Sequence, residues 1–409
     1  MQFARAIRRL SPFRPHPHLP SKPQLAPPAP ISRRYYLLTS FPGSSLSDLS
    51  SNEKMLNLKV SVIGSGNWGS AIAKIVAENA ADNKDIFESE VRMWVFEELV
   101  AGQKLTEIIN SQHENVKYLP GIKLPSNIVA VPDLLGAVKD ADLLVFNVPH
   151  QFLPRICSQL KGNVPATVRA VSCIKGVEVS GEGITIIANY ISEELGIYCG
   201  ALSGANLAPE VAEEKYSETT IAYKVPDPSD VIDARIIRTL FHRSYFHVSV
   251  IDDVAGVSLC GALKNIVALA SGFVDGMEWG DNAKAAIIRR GLLEMTKFGR
   301  EFFPESSAST FTEESCGVAD VITSCSGGRN HKLGAELIKT RRPIFELEAE
   351  LLKGQKAQGV TTAQEIYEFL ERRGKTQEFP LFTAVYGIIF QGLDSYALPQ
   401  ILEDIEQKL

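Results

Sequence analysis

The sequence predicts an α/β chain, a doubly wound, largely parallel sheet domain followed by an all-helical C-terminal domain, on three observations. From Asn57 to about Tyr245, short apolar runs alternate with helical patterns, the alternation that builds parallel sheets covered on both faces. From Asp252 onward the patterns are helical throughout. Between the β-branched run Leu58 to Ile63 and the helical run Ser70 to Ala77 stands Gly64-Ser65-Gly66-Asn67-Trp68-Gly69. Strand, G-x-G-x-x-G, helix is the context that a Rossmann-type dinucleotide fingerprint requires.

Residues 1–52 read as an address and are set apart from the fold. They hold seven basic residues (Arg5, Arg8, Arg9, Arg14, Lys22, Arg33, Arg34) against one acid, Asp48. Met1 to Leu10 predicts a short basic amphipathic helix, and the prolines from Pro12 to Pro30 forbid regular structure beyond it. An arginine- and serine-rich, acid-poor leader is the signature of a mitochondrial or plastid transit peptide. Ser32-Arg33-Arg34-Tyr35 leans towards the mitochondrion, whereas the Ser/Pro richness suits a plastid.

Strands are expected at Lys59–Ile63, Val91–Val95, Ile128–Val131, Leu143–Val148, Val168–Val171, Gly200–Ser203, Thr220–Tyr223 and Phe246–Val250. Helices are expected at Asp252–Val274, Asn282–Phe302, Ser315–Ser324, Ile344–Leu352, Thr362–Arg373 and Pro380–Gln391. The cofactor domain is thus placed at 57–250 and the helical domain at 251–409. Their cleft is the expected ligand site.

Net charge is −6 over 409 residues. The basic leader therefore leaves the remainder strongly acidic, which argues against a nucleic-acid partner. Six cysteines without C-x-x-C spacing read as buried free thiols, with no metal expected. No apolar run is read as long enough for a transmembrane helix, so no membrane partner is expected.

In the fingerprint, Gly64 permits the tight turn, Gly66 lets a pyrophosphate approach and Gly69 lets helix pack on strand. The helix N-terminus then holds the phosphates. The second strand ends in Phe96-Glu97-Glu98, where an acid can accept from an adenosine ribose and repels a 2′-phosphate; NAD is expected over NADP. The spacing from Gly69 is long for this motif, and Asn79–Glu88 is read as an extended loop that absorbs it.

Hydride transfer to a ketone needs a proton donor and polar groups aimed at the developing alkoxide. Three segments offer them. Lys175 follows a predicted strand. Lys264 and Asn265 interrupt an apolar helix, where the lysine is either buried as an acid/base or snorkels to solvent. Asp320, Thr323 and Ser324 share a helical face, Gly327-Gly328 ends that helix, and Arg329-Asn330 sits on a flexible turn. That arginine is either a phosphate fork or an ordinary surface residue.

Taken together, the blocks GSGNWGSAIA (64–73), MWVFEE (93–98), NVPHQF (147–152), SGANLAPEVAEEK (203–215), CGALKNIVALASGF (260–273), GDNAKAAIIRRG (280–291), SCGVADVITSCSGGRN (315–330) and GQKAQG (354–359) resemble the NAD-dependent glycerol-3-phosphate dehydrogenases of eukaryotic, plant-like type. The resemblance runs from about Lys59 to Gln391. It implies reversible conversion of dihydroxyacetone phosphate and sn-glycerol 3-phosphate by a homodimer. It also implies that Gly64, Ser65, Gly66, Asn67, Trp68, Gly69, Phe96, Phe152, Lys175, Ala208, Arg329 and Gln358 contact NAD, Gln358 from a covering loop. Lys264 would be the acid/base, Lys175 and Asn265 would orient substrate, and Asp320 would hold the lysines. Ser324, Arg329 and Asn330 would complete the substrate site, with Arg329 and Asn330 on the phosphate. Ser324 stands where animal relatives carry threonine, and Ser326 replaces a bulkier aromatic. The same resemblance tips the leader towards a plastid, with the mitochondrion as the alternative.

Overall fold

Where the apolar runs stand, strands form. The computed structural model describes residues 55–180, 183–224, 227–352 and 357–406. The leader, with its expected helix at Met1 to Leu10, lies outside the described residues, as do 354–356 of the GQKAQG block. Eight strands make the main sheet: β1 (Leu58–Ile63), β2 (Phe87–Trp94), β3 (Ile128–Val131), β4 (Leu143–Phe146), β5 (Arg169–Ser172), β6 (Tyr198–Ser203), β7 (Ser217–Ala222) and β8 (Phe246–Ile251). Their spatial order is β3-β2-β1-β4-β5-β6-β7-β8. Strands β1 to β6 are parallel, β7 runs antiparallel to β6, and β8 runs parallel to β7. The order 3-2-1-4-5-6 is that of the Rossmann fold, with its switch point between β1 and β4.

The central strands β1 and β4 are buried on both faces, as continuous apolar strands require. Alternation sends Ile63, Leu144 and Phe146 into one core and Val62, Leu143 and Val145 into the other. The principal helices are α1 (Asn67–Asp82), α2 (Ala234–Phe241), α3 (Val254–Gly276), α4 (Asp281–Phe302), α5 (Asp320–Cys325), α6 (Arg329–Thr340), α7 (Gln358–Arg372) and α8 (Pro380–Phe390). Ile75 of α1 and Phe241 of α2 fill the second core, while Leu263 and Val267 of α3 and Phe298 of α4 fill the first. The first core therefore runs unbroken from the sheet into the helices.

Helix α3 organises the helical part. Asp253 caps it by accepting the Gly256 N–H at 2.7 Å, and helices α4 to α8 all border it. Its 23 residues are long and apolar enough to cross a membrane, which corrects the length expectation; the helix is instead buried along 94% of its most apolar window. A helix that is apolar all round belongs in a core or a bilayer, and the neighbouring helices make this one a core.

Three further expectations are corrected. Asn79–Glu88 is no extended loop: α1 runs to Asp82 and β2 starts at Phe87. Asn79 holds that last helical turn by donating to the Leu240 carbonyl at 2.8 Å. Ser315–Ser324 is no continuous helix. Gly317 breaks it at φ −87°, ψ −107°, and a Cβ there would lie 2.3 Å from the Phe311 carbonyl oxygen. Arg329 and Asn330 occupy no flexible turn, because they open α6 behind the extended N-cap Gly328. Helix α6 packs almost backbone to backbone on α3: a Cβ on Gly334 would lie 2.5 Å from the Leu269 carbonyl oxygen. That approach carries Arg329 and Asn330 to the level of Lys264 and Asn265. All six cysteines are free and buried.

Candidate active site

The glycine-rich turn follows β1 at the switch point. Gly64 has φ +113°, and a Cβ there would meet the Asn147 carbonyl at 2.9 Å, so only glycine fits. Gly69 packs against the Gly64 carbonyl, 2.2 Å from where its Cβ would be, while a Cβ on Gly66 would meet nothing within 4 Å. No side chain caps α1 at Gly66, which leaves first-turn N–H groups facing that open space beside exposed Asn67. Ser65 is buried. Its carbonyl accepts from Asn115 Nδ2 at 2.8 Å and from Ser70 Oγ at 3.2 Å. Asn115 is fully buried and braces the turn; no sequence pattern marked it. Trp68, half-buried, packs its ring 6.3 Å from that of Phe246, against the sheet's core.

Phe96 and Phe152 lie beyond the ends of β2 and β4 and are 64% and 51% exposed. Two aromatic faces so open, at the carboxyl ends of parallel strands, suit the planar ends of a dinucleotide. Ala208 is buried against Ala71 of α1. The acids after β2 are engaged elsewhere. Glu97 accepts the Thr106 N–H at 3.3 Å and its hydroxyl at 2.6 Å, capping the helix Leu105–Gln112. Glu98 accepts from Tyr118 Oη at 2.6 Å and pairs with Lys117. Each Glu97 oxygen thus takes one local hydrogen bond, which holds the carboxylate at the end of β2 and leaves further acceptor sites on it.

The chemical cluster forms where α3, α5 and the turn after β5 meet. Lys264 is 4% exposed and Asp320 2% exposed, and their charged groups are paired directly. Lys264 Nζ also donates to Ser324 Oγ at 2.9 Å, so the i, i+4 pair Asp320 and Ser324 clasps one ammonium. Lys175, half-buried, donates to the other Asp320 oxygen at 3.2 Å, and Ser203 Oγ stands 3.5 Å from that oxygen. Ser203, at the end of β6, was missed as a site residue. Its position beyond a parallel strand was the available signal. Burial pulls the Lys264 ammonium down to about 7; Asp320 opposes the fall and Lys175 adds to it. The snorkelling alternative for Lys264 is thereby removed.

Beside the cluster, Asn330 Nδ2 donates to Asn265 Oδ1 at 2.9 Å, and the Gly359 N–H donates to Asn330 Oδ1 at 2.9 Å. Asn265 Nδ2 donates to the Gly261 carbonyl at 3.2 Å. Arg329 is exposed at the opening of α6, where the N-cap residue Gly328 supplies no side-chain cap. Gln358 is the first residue of α7 rather than part of a loop. Its Nε2 reaches Gly176, lying 3.4 Å from where a Cβ would be. Removing one member of a buried ion pair strands the other, so Asp320→Ala should lower stability by about 3–5 kcal/mol. The apolar double variant Lys264→Met/Asp320→Leu should recover most of that loss. Urea titration followed by circular dichroism checks both; a single variant as stable as wild type would contradict the buried pair.

Residues 59–228 match the family described as NAD-dependent glycerol-3-phosphate dehydrogenase N-terminus, and residues 253–400 match the corresponding C-terminus. The chain is 58% identical over 352 residues to glycerol-3-phosphate dehydrogenase [NAD(+)] of Pichia angusta, covering 85% of this chain and 92% of that protein. It is 57% identical to the Saccharomyces cerevisiae protein named glycerol-3-phosphate dehydrogenase [NAD(+)] 2, mitochondrial, covering 86% of this chain and 81% of that one. A solved structure of glycerol-3-phosphate dehydrogenase from Saccharomyces cerevisiae superimposes with a TM-score of 0.81 at 57% identity, covering 85% of this chain and 99% of that one. With its Rossmann sheet, its glycine turn and its lysine–aspartate cluster in one frame, the chain belongs to the NAD-dependent glycerol-3-phosphate dehydrogenase family.

Proposed function

We propose that this chain reduces dihydroxyacetone phosphate to sn-glycerol 3-phosphate, reversibly, and that Lys264 moves the proton. The observation that carries the reading is the buried Lys264–Asp320 pair beside half-buried Lys175. Residues 57–250 hold the cofactor and 251–409 supply most of the substrate site. The turn Gly64 to Gly69 with the uncapped start of α1 suits a pyrophosphate. Phe96 and Phe152 suit its flanking rings, while Ala208, Lys175, Arg329 and Gln358 complete the enclosure. NADH, when bound, supplies the hydride that adds to the carbonyl carbon.

Lys264 in its ammonium form gives a proton to the carbonyl oxygen as charge develops there, and in its neutral form takes it back from the alcohol. Asp320 keeps that ammonium in place, and Ser324 fixes its direction. Lys175 and Asn265 orient the substrate and polarise its carbonyl. Arg329 and the N–H groups that open α6 take the phosphate dianion, two devices suited to the same charge. Asn330 stands with them.

A homodimer, a plant-like subtype and plastid delivery by residues 1–52 belong to the same proposal. The serine- and proline-rich, acid-poor leader supports the plastid reading. A fluorescent fusion of residues 1–55 should co-localise with plastids; co-localisation with mitochondria would overturn that part. Sedimentation should give twice the chain mass, and a monomer would overturn the dimer.

The direct test is loss of NADH absorbance on adding dihydroxyacetone phosphate, with NADPH in parallel. Rapid oxidation of NADH and slow oxidation of NADPH is expected, because Glu97 repels a 2′-phosphate; bound but unoxidised NADH would overturn the enzyme reading. With Lys264 near 7, kcat/KM for reduction should fall as pH rises through that value, and for oxidation it should fall as pH drops below it. Lys264→Ala should keep NADH binding and lose about 100- to 10,000-fold in kcat. Arg329→Ala should raise the KM for dihydroxyacetone phosphate about 100-fold. An active lysine variant, or an unchanged KM, would reassign the role concerned.

A further inference from the structure

We infer that Asn330 is a positioning residue which sets the register between the phosphate side and the cofactor side of the site. The inference rests on the functional reading above. Its basis is a junction of three helices drawn together by one side-chain amide. Asn330, the second residue of α6, donates from Nδ2 to Asn265 Oδ1 of α3 at 2.9 Å. Its Oδ1 accepts the Gly359 N–H, in the first turn of α7, at 2.9 Å. Each member stands next in sequence to a residue with a proposed role: Asn265 follows Lys264, Asn330 follows Arg329, and Gly359 follows Gln358. One amide thus ties together the proton donor, the phosphate arginine and the cofactor-side glutamine.

The junction is closely built. A Cβ on Gly359 would lie 2.7 Å from the Asn265 carbonyl oxygen and 2.7 Å from Asn330 Oδ1, so the backbone of α7 must approach bare. Gly359 is buried, and Asn265 is 6% exposed. On the far side, Asn265 Nδ2 donates to Gly261 of its own helix at 3.2 Å, which fixes the amide that Asn330 reads. An amide pair of this kind specifies a distance and a direction, because each partner offers one donor edge and one acceptor edge. Asn330 uses one edge toward each helix. Aspartate and leucine resemble it in size, but neither can donate to Asn265 and also accept from Gly359.

A residue that only binds phosphate acts on the substrate constant alone. A junction acts on both sides, because loosening it frees α6 from α7. The experiment is therefore NADH titration by fluorescence without substrate, together with steady-state kinetics, on Asn330→Ala and Gly359→Ala. In Asn330→Ala the NADH Kd should rise about 2- to 10-fold, the effect of one lost hydrogen bond. The kcat should fall up to about 100-fold from misplacement of the reacting groups. Gly359→Ala changes no polar side chain, yet it should raise both the NADH Kd and the KM for dihydroxyacetone phosphate. An unchanged NADH Kd in Asn330→Ala would overturn the junction, as would wild-type constants in Gly359→Ala.

Thermal melting verifies that each variant is folded. Should neither fold, hydrogen exchange of the wild-type chain decides. NADH alone should slow the amides of the segment containing Asn330 as well as those around Gly359; protection confined to the Gly359 segment would overturn the proposal. A wild-type chain that binds NADH but does not turn over dihydroxyacetone phosphate would defeat the functional reading alone, since NADH binding still reports on the junction.

Discussion

The rest of the site depends on the pairing of Lys264 with Asp320 inside the protein. An isolated ammonium in the middle of α3 would be too costly to bury, and an isolated aspartate at the start of α5 equally so. Together they are tolerated, and their mutual requirement forces α3 and α5 into one geometry. Lys175 brings the end of β5 to the same carboxylate. A single acid thereby joins the sheet to the helices, and the chemical cluster stands where they meet.

The pair also explains why the core around it is so apolar. Leu263 and Ile266, the near neighbours of Lys264 and Asn265, are fully buried. Low polarity around the ammonium is what lowers its pKa to about 7. The same helix would pass for a membrane span on length and composition. What distinguishes it is that other helices and the sheet of the same chain cover it. Close helix contact at Gly334 adds the second requirement, since it brings the start of α6 beside α3. The amide junction at Asn330 then holds what that contact brings together.

Much of the fold was legible in the chain. All eight strands of the main sheet overlap an expected run, most plainly β4, because a strand buried on both faces can be little but apolar. The long helices α3 and α4 were equally plain from their periods. Errors clustered where local pattern and tertiary packing disagree. The run Ser315 to Ser324 has helical composition throughout, yet Gly317 bends away because the backbone of Phe311 occupies its space. Arg329 follows two glycines and looks like part of a turn. Only the buried face formed by Leu333, Gly334 and Leu337 against α3 makes a helix there. Glu97 also serves the first turn of the following helix, a local duty that its place after β2 did not reveal.

By itself the sequence determined the doubly wound sheet, the glycine turn that opens it, and which residue types were available for chemistry. These follow from periodicity and from backbone conformations that only glycine adopts, both local properties. Tertiary structure alone decided that Lys264 is buried rather than snorkelling. It also decided that Ser324 faces that lysine, that Ser203 and Asn115 take part, and that Asn330 spans two neighbouring helices. Each of these depends on which groups, distant in the chain, arrive within hydrogen-bonding reach. A buried donor is satisfied by whatever partner packing delivers, and one-dimensional spacing carries no record of that.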